Sequence, residues 1–116
     1  MSLDNIGNVK MNIQNAYKFI VAEVSEGSDK KIIVRVGTNM MERHYEIDDA
    51  LAEELIESNT PAPYKVLGGG FVQSNWWKKE IILFGESKDY GREPDRLQTV
   101  NLIQKEFPDF KVKADD

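Results

Sequence analysis

A loop between a predicted strand and a predicted helix holds residues suited to binding an anion. It runs from Phe84 to Gly91 and includes Gly85, Ser87 and Lys88. The apolar run before this loop is typical of a buried strand, and the periodic segment after it predicts a helix. At a helix N-terminus the main-chain N–H groups lack intrahelical acceptors, and the helix dipole adds partial positive charge. The arrangement favours an anion site, although such a glycine more often serves only to turn the chain.

His44 is the single histidine of the chain, and there is no cysteine. An imidazole has its ordinary pKa near neutrality, so His44 is the candidate general base, and the alternative is a solvated histidine at a helix start. A multi-histidine metal site, a thiolate nucleophile and a cysteine zinc site are all excluded. A metal loop built from carboxylates is not visible either. We therefore expect no metal and no cofactor.

The bulk properties describe one globular domain. The chain has 116 residues, of which 41% are apolar and 30% charged, enough for a single core. The formal net charge of −5 argues against nucleic-acid binding through bulk charge. No apolar run approaches the ~20 residues that span a bilayer, and the N-terminus lacks the pattern of a secretory signal. We expect a monomeric, cytoplasmic protein that binds neither nucleic acid nor membranes.

The residue patterns predict an α+β fold over residues 1–116, with a mixed sheet of five to six short strands and two helices. Strand formers are concentrated in residues 17–24 and 30–36, and the five-residue turn between them indicates an antiparallel hairpin. Further strands are predicted at residues 64–67, 71–75, 80–84 and 110–113. Residues 1–15 are polar with scattered apolar positions, and we expect them to form a loosely ordered lead-in.

Two segments have helical periodicity. The first follows Asp48 or Asp49 as a cap and ends at the breaker sequence of residues 58–61. Residues 40–46 before it fit either an extended or a helical conformation. The second covers residues 94–107, with a proline in its first turn. Its apolar stripe is predicted to comprise Leu97, Val100, Leu102, Ile103 and Phe107.

Two other stretches each have a structural and a functional interpretation. Three glycines, Gly68 to Gly70, indicate a bulge or sharp bend, or a close backbone approach to a neighbouring loop or ligand, and the bulge is favoured. Trp76 and Trp77 lie at a predicted hairpin tip. They either pack over the sheet edge or a helix, which is favoured, or remain exposed and bind a partner.

The order and spacing of these features resemble the phosphohistidine phosphatase family, also called the Janus/Ocnus family. The likeness extends from about Ala16 to Lys113, nearly the whole domain. The matching pieces are Tyr-Lys-Phe-Ile-Val from residue 17, Ile-Val-Arg from residue 33, Arg-His-Tyr-Glu from residue 43, Leu-Gly-Gly-Gly from residue 67, Phe-Gly-Glu-Ser-Lys-Asp-Tyr-Gly from residue 84 and Phe-Pro-Asp-Phe from residue 107. Together, in this order, they are fairly specific.

The resemblance implies a metal-independent hydrolase that cleaves the P–N bond of phosphohistidine in a protein or peptide substrate. It assigns His44 the role of general base and Lys18 that of a cation holding phosphate oxygens. The other implied site residues are loop residues that surround the phosphoryl group through main-chain amides and a serine hydroxyl, and neighbours of the histidine beside the substrate. They are Ser87, Lys88 and Asp89 in the loop, and Arg43 and Tyr45 next to the histidine.

The chain departs from the family pattern at Phe71, where some members have an arginine directly after the three glycines. The replacement removes either a bidentate phosphate ligand or a structural ion pair. The carboxylate of Asp89 would also repel phosphate unless it points away. An alternative function is therefore a non-catalytic module that binds phosphorylated or acidic peptides, with Trp76 and Trp77 as the partner surface.

Overall fold

The computed structural model describes residues 3–58 and 62–115. In these residues the elements are, in chain order, β1 (Val9–Lys10), β2 (Ala16–Glu26), β3 (Asp29–Thr38), α1 (His44–Glu57), β4 (Tyr64–Asn75), β5 (Glu80–Phe84), α2 (Arg96–Glu106) and β6 (Lys111–Ala114). The strands form one sheet in the order β1-β3-β2-β4-β5-β6. The predicted α+β domain, with a mixed sheet of five to six strands and two helices, is confirmed.

The sheet is antiparallel at its centre and parallel at both edges. Strand β2 pairs antiparallel with β3 and β4, and β4 pairs antiparallel with β5. The edge pairs β1–β3 and β5–β6 are parallel. The predicted hairpin is present, but its turn is tighter than predicted, because Glu26 pairs with Asp29. Gly27, with φ of +61°, supplies the left-handed backbone that this short turn requires.

Alternating side chains of β2 enter two apolar layers, one on each face of the sheet. Phe19 and Val21 belong to the layer that contains Val100 and Ile103 of α2. Ile20, Ala22 and Val24 of the same strand belong to the layer under α1. The other buried residues of that layer are Leu3, Ile6, Ile33, Ile47, Leu51 and Leu55. Successive strand residues point to opposite faces, so each helix covers one face of the sheet.

Residues 3–15 belong to the folded domain, so the expectation of a loosely ordered lead-in is corrected. Strand β1 pairs with β3, and Leu3, Ile6 and Val9 are buried. Burying each such side chain contributes about 1.5–3 kcal/mol, which offsets part of the conformational entropy lost when this segment is ordered on the sheet. The first two residues of the predicted lead-in lie outside the described residues.

Helix α1 begins at His44, earlier than predicted. Its N-cap residue is Arg43, whose N–H donates to the Glu46 carboxylate at 3.0 Å. This bond is one half of a capping box, in which the third helical residue caps the chain before the helix. Asp48 and Asp49, the predicted caps, therefore lie inside the helix. Within the predicted breaker sequence, residues 59–61 lie outside the described part of the chain.

Helix α2 begins after its N-cap residue Asp95, whose carboxylate accepts from the Gln98 N–H at 3.0 Å. The buried side chains of this helix are those of Arg96, Thr99, Val100 and Ile103. Leu97 is 68% exposed, so its predicted place in the apolar stripe is wrong. Neither of the two helices in the described ranges is both long and apolar enough to cross a bilayer.

Strand β4 is continuous through the three glycines. Its pairing with β2 shifts between Val66 and Gly68, so Leu67 forms a bulge, as favoured from the sequence. The glycines also allow close contact with the neighbouring backbone. A Cβ on Gly69 would lie 2.1 Å from the Phe19 carbonyl oxygen, closer than any side chain can approach.

The hairpin between β4 and β5 ends in the predicted tip. Trp76 and Trp77 are 50% and 64% exposed, so they do not pack over the sheet or a helix as favoured from the sequence. Their rings contact each other edge to face, with centroids 5.9 Å apart. The tip therefore presents two indoles to solvent.

Candidate functional site

A pocket of about 280 Å³ lies at the start of α1, against β2, β4 and the loop between β5 and α2. Its lining residues come from four segments: Tyr17 and Lys18, then Glu42, Arg43 and His44, then Phe71, and finally Glu86, Lys88 and Asp89. The pocket thus brings together most of the predicted site residues. Two are absent from its lining: Tyr45, which is 49% exposed, and Ser87, which is buried.

His44 is buried, and the hydrogen bond to its ring indicates its tautomer. The ring Nε2 lies 2.9 Å from the carbonyl oxygen of Gly70. Because a carbonyl oxygen can only accept, Nε2 carries the proton and Nδ1 keeps its lone pair. A neutral His44 in this tautomer has one nitrogen able to take a proton from water.

The surroundings of His44 lower its pKa below the ordinary 6.5. Burial is the largest cause, because it removes water from the charged imidazolium. The nearby Lys18 ammonium also lowers the pKa, whereas the Gly70 carbonyl and the Asp89 carboxylate raise it without reversing the net direction. His44 is therefore neutral at pH 7, as a general base must be.

Lys18 lies between aromatic rings at the wall of the pocket. Its Nζ is 3.7 Å from the centroid of the Tyr17 ring and 5.4 Å from that of Phe71. These distances are typical of cation–π contacts, which hold an ammonium without neutralising it. Lys18 forms no ion pair with any carboxylate in residues 3–58 and 62–115, so its charge remains available to an anion.

Ser87 shapes the loop rather than lining the pocket. Its hydroxyl oxygen accepts from the N–H groups of Asp89 at 3.2 Å and Tyr90 at 3.1 Å. Its own N–H donates to the carbonyl of Gly69 at 3.1 Å. The Ser87 and Asp89 amides, which the resemblance assigns to phosphate, thus have acceptors within the protein. Across the described part of the chain, no acceptor is present for the Lys88 N–H.

A carboxylate on α1 connects this loop to the helix that carries His44. The Tyr90 hydroxyl donates to Asp48 Oδ2 at 2.8 Å, and the Tyr64 hydroxyl donates to Asp48 Oδ1. Burial and the Asp48 carboxylate raise the pKa of both tyrosines well above the ordinary value, so both remain hydrogen-bond donors. This network fixes the loop relative to the start of α1.

A buried ion pair holds the beginning of the loop. Arg96 donates through Nε to Glu93 Oε2 at 2.7 Å and through Nη2 to the Gly85 carbonyl at 2.7 Å. The Thr99 hydroxyl donates to the same Glu93 oxygen at 2.7 Å. The charges are therefore paired and hydrogen-bonded, as charges shielded from water must be.

The formal charges around the pocket are balanced. Three cations and three anions line it when the imidazole is neutral: Lys18, Arg43 and Lys88, against Glu42, Glu86 and Asp89. The pocket as a whole does not attract phosphate through net charge. Anion binding must therefore depend on individual donors in the pocket, of which the buried Lys18 ammonium is the clearest.

Sequence reasoning did not assign three of the lining residues to the site: Tyr17, Glu42 and Glu86. It did note Phe71, as the position where some family members have a substrate-site arginine. Adjacent residues on a strand normally point to opposite faces. Tyr17 and Lys18 both reach the pocket because the pairing of β2 with β3 shifts between Ala16 and Lys18, leaving Tyr17 as a bulged residue. Such a bulge has no clear signature in the sequence, whereas Glu42 and Glu86 could have been inferred from their predicted neighbours.

The fold and the pocket define a class of protein. It is a small α+β domain whose pocket is surrounded by a buried neutral histidine, a loop amide and a lysine with no ion pair among residues 3–58 and 62–115. Comparison of sequences gives the family. The profile of the Janus/Ocnus family matches residues 3–111, so this chain belongs to the Janus/Ocnus family.

Individual relatives agree with this assignment. The chain is 32% identical over 117 residues to the sex-regulated protein janus-B of Drosophila erecta, covering 97% of this chain and 79% of that protein. It is 24% identical over 115 residues to the sex-regulated protein janus-A of Drosophila yakuba, and the match covers 99% of this chain and 83% of that protein. It is 28% identical over 122 residues to the 14 kDa phosphohistidine phosphatase of Sus scrofa, and the match covers 98% of this chain and 94% of that protein.

Proposed function

We propose that this protein is a metal-independent phosphohistidine phosphatase, in which His44 is the general base and Lys18 holds the phosphoryl group. The observation that carries the proposal is that one pocket holds a buried, neutral histidine and a lysine that forms no ion pair with any carboxylate of the described residues. The similarity to a relative named as a phosphohistidine phosphatase supports it. The proposal includes a monomer acting in the cytoplasm on phosphohistidine-containing proteins or peptides.

The proposed reaction is hydrolysis of a phosphoramidate. The oxygen of a water molecule attacks phosphorus while His44 Nδ1 accepts the proton of that water. The P–N bond breaks and its electron pair stays on the leaving nitrogen. The substrate ring, protonated on its other nitrogen, departs as neutral imidazole. The hydroxyl group stays on phosphorus as part of inorganic phosphate, and His44 then releases its proton to water. Negative charge spreads over the phosphoryl oxygens in the transition state, where the Lys18 ammonium and the Lys88 N–H stabilise it.

Substitution of His44 tests the proposal. Because a positioned base contributes roughly 10²–10⁴-fold, His44→Ala should lower the rate of phosphate release from a phosphohistidine peptide by at least about 10²-fold. Ile56→Ala, at an exposed position of the same helix, serves as the control and should leave the rate unchanged. Circular dichroism establishes that both variants fold. Turnover by His44→Ala at the rate of the parent would overturn the catalytic assignment.

A second candidate function is a non-catalytic module that binds phosphorylated or acidic peptides. The apolar Phe71 at the pocket and the balanced charges around it favour this alternative. Incubation with a phosphohistidine peptide separates the two functions when released phosphate and retained peptide are measured together. Retention of the peptide without release of phosphate would favour the binding module, and release would favour the phosphatase.

A further inference from the structure

We propose that Tyr17 and Phe71 form a wall that selects phosphoryl groups carried on an aromatic ring, and we name these two residues the aromatic wall. The inference deepens the proposed phosphatase function and depends on the same pocket as the phosphoryl site. The class of ligand it specifies is a phosphorylated aromatic heterocycle, such as the imidazole of phosphohistidine. Phosphorylated aliphatic amines, such as phospholysine, are bound less well.

Phe71 is the centre of a cluster of rings beside the pocket. It stacks on Phe84, with centroids 5.6 Å apart and planes at 21°, and lies 6.1 Å from the Tyr17 ring at 58°. The His44 ring meets it edge-on at 5.6 Å and 81°. Phe71 is thus held on several sides by other rings, and it lines the pocket together with Tyr17, which is 41% exposed.

The distances place a ligand ring within reach of this wall. Lys18 Nζ is 3.7 Å from the Tyr17 centroid and 5.4 Å from that of Phe71. A phosphoryl oxygen bound to the ammonium would lie about 2.8 Å from Nζ. In phosphohistidine the ring is bonded directly to phosphorus, so a ring that points from the bound phosphoryl group toward these residues lies close to the same wall. Aromatic pairs interact at centroid separations of about 4.5–7 Å.

The chemistry of the wall determines which part of the ligand it contacts. The Phe71 side chain has no polar atom and cannot bind a phosphoryl oxygen. Because the formal charges around the pocket balance, net charge contributes little to holding the anion. The aromatic wall instead contacts the group to which the phosphoryl is attached and adds to the affinity through that group. A flat ring uses both the apolar surface and the quadrupole of these aromatic faces, whereas an aliphatic chain uses only the apolar surface.

The inference is tested with two phosphonates that differ in the presence of a ring, benzylphosphonate and methylphosphonate. Isothermal titration calorimetry measures their affinities for the parent, Phe71→Leu and Tyr17→Leu. We expect the parent to prefer benzylphosphonate by about three- to tenfold, from the ring-pair contribution. Each variant should lose most of this preference. The ratio of the two affinities is the readout, because Tyr17 also contacts the Lys18 ammonium. Trp77→Leu, which removes an exposed ring outside the pocket, should retain the parent preference.

The result overturns the inference if either wall variant keeps the preference, if both affinities fall equally, or if the parent binds neither phosphonate. Circular dichroism checks folding, and using both wall variants preserves the test if one fails to fold.

Kinetics distinguish this inference from the phosphatase proposal. Absence of phosphate release by the parent would refute the phosphatase alone, since the phosphonate ratio still decides the role of the wall. Release together with an unchanged ratio in Phe71→Leu would refute the wall alone.

Discussion

Among single residues, His44 has the surroundings that most directly affect a reaction. Burial and the Lys18 ammonium lower its pKa below 6.5. A base must be neutral to act, so a lowered pKa keeps it active at more acidic pH. We expect the acid limb of kcat/KM for a phosphohistidine peptide to have its midpoint below pH 6.5, because the pKa of His44 is lowered from that value. A pH–rate profile measures this acid limb.

The Lys18→Met variant tests the electrostatic cause of that shift. Removing the ammonium removes one of the causes that lower the pKa of His44, so the acid limb should move to higher pH. The rate of Lys18→Met should also fall, because the cation proposed to hold the phosphoryl group is lost, but the position of the acid limb does not depend on the overall rate. An acid limb that stays in place, or that lies at or above pH 6.5 in the parent, would contradict the assignment of His44.

Asp89 opposes anion binding from within the pocket. Its carboxylate is one of three that balance the lining cations, so Asp89→Asn should strengthen the binding of inorganic phosphate. We expect an increase of about two- to tenfold, largest at low salt because the pocket is open to solvent. Asp109→Asn makes the same change in net charge at an exposed position away from the pocket and should have no such effect. Equal changes in both variants would show that only net charge matters.

The limits of sequence reasoning differ among these residues. His44 could be identified because it is the one histidine of the chain, and Lys18 because a family motif surrounds it. The buried orientation of the Ser87 hydroxyl toward its own loop could not be predicted, because the motif is compatible with either direction. The role of Tyr17 depends on a bulge, and alternation along a strand predicts the opposite face for it.

At the scale of elements, the position of the loop relative to α1 depends on Asp48. Tyr90→Phe removes the hydrogen bond from the loop, and Tyr64→Phe removes the bond from β4 to the same carboxylate. Each loss should cost about 1 kcal/mol in free energy of unfolding, measured by urea denaturation. Only Tyr90→Phe should lower kcat/KM, because only Tyr90 belongs to the loop. Equal activity in the two variants would contradict a positioning role for Tyr90.

The elements themselves were predictable where the pattern was local. The hairpin and β5 follow from runs of strand-forming residues, and the bulge in β4 follows from its glycines. The start of α1 was not predictable, because Arg43 is not a usual N-cap residue and the cap comes from Glu46. Asp48 resembles a cap in the sequence, yet its partners lie far along the chain. Such long-range partners leave no local signal.

At the scale of the whole molecule, the two helices cover opposite faces of one sheet. The candidate site lies beside the loop between β5 and α2, which both helices contact. Helix α1 supplies His44, while α2 supplies Arg96, which holds the Gly85 carbonyl at the beginning of the loop. The place of Arg96 on the buried side of α2 also explains the exposed Leu97. A charged residue in a helical stripe suggests solvent exposure, but the Glu93 carboxylate and the Gly69 and Gly85 carbonyls compensate the buried charge of Arg96.

The Arg96–Glu93 pair should therefore contribute strongly to global stability. Its side chains are 4% and 1% exposed, so Arg96→Met leaves a buried carboxylate without its cation, which should cost about 3–5 kcal/mol. The surface pair Lys30–Glu23, with side chains 64% and 30% exposed, provides the control, and Lys30→Met should cost less than about 1 kcal/mol. Urea denaturation of the two variants measures both free energies of unfolding.

The double variant Arg96→Met with Glu93→Gln should recover part of the lost stability, because the uncompensated charge is removed. Equal stabilities of Arg96→Met and Lys30→Met would refute this account of how α2 holds the loop.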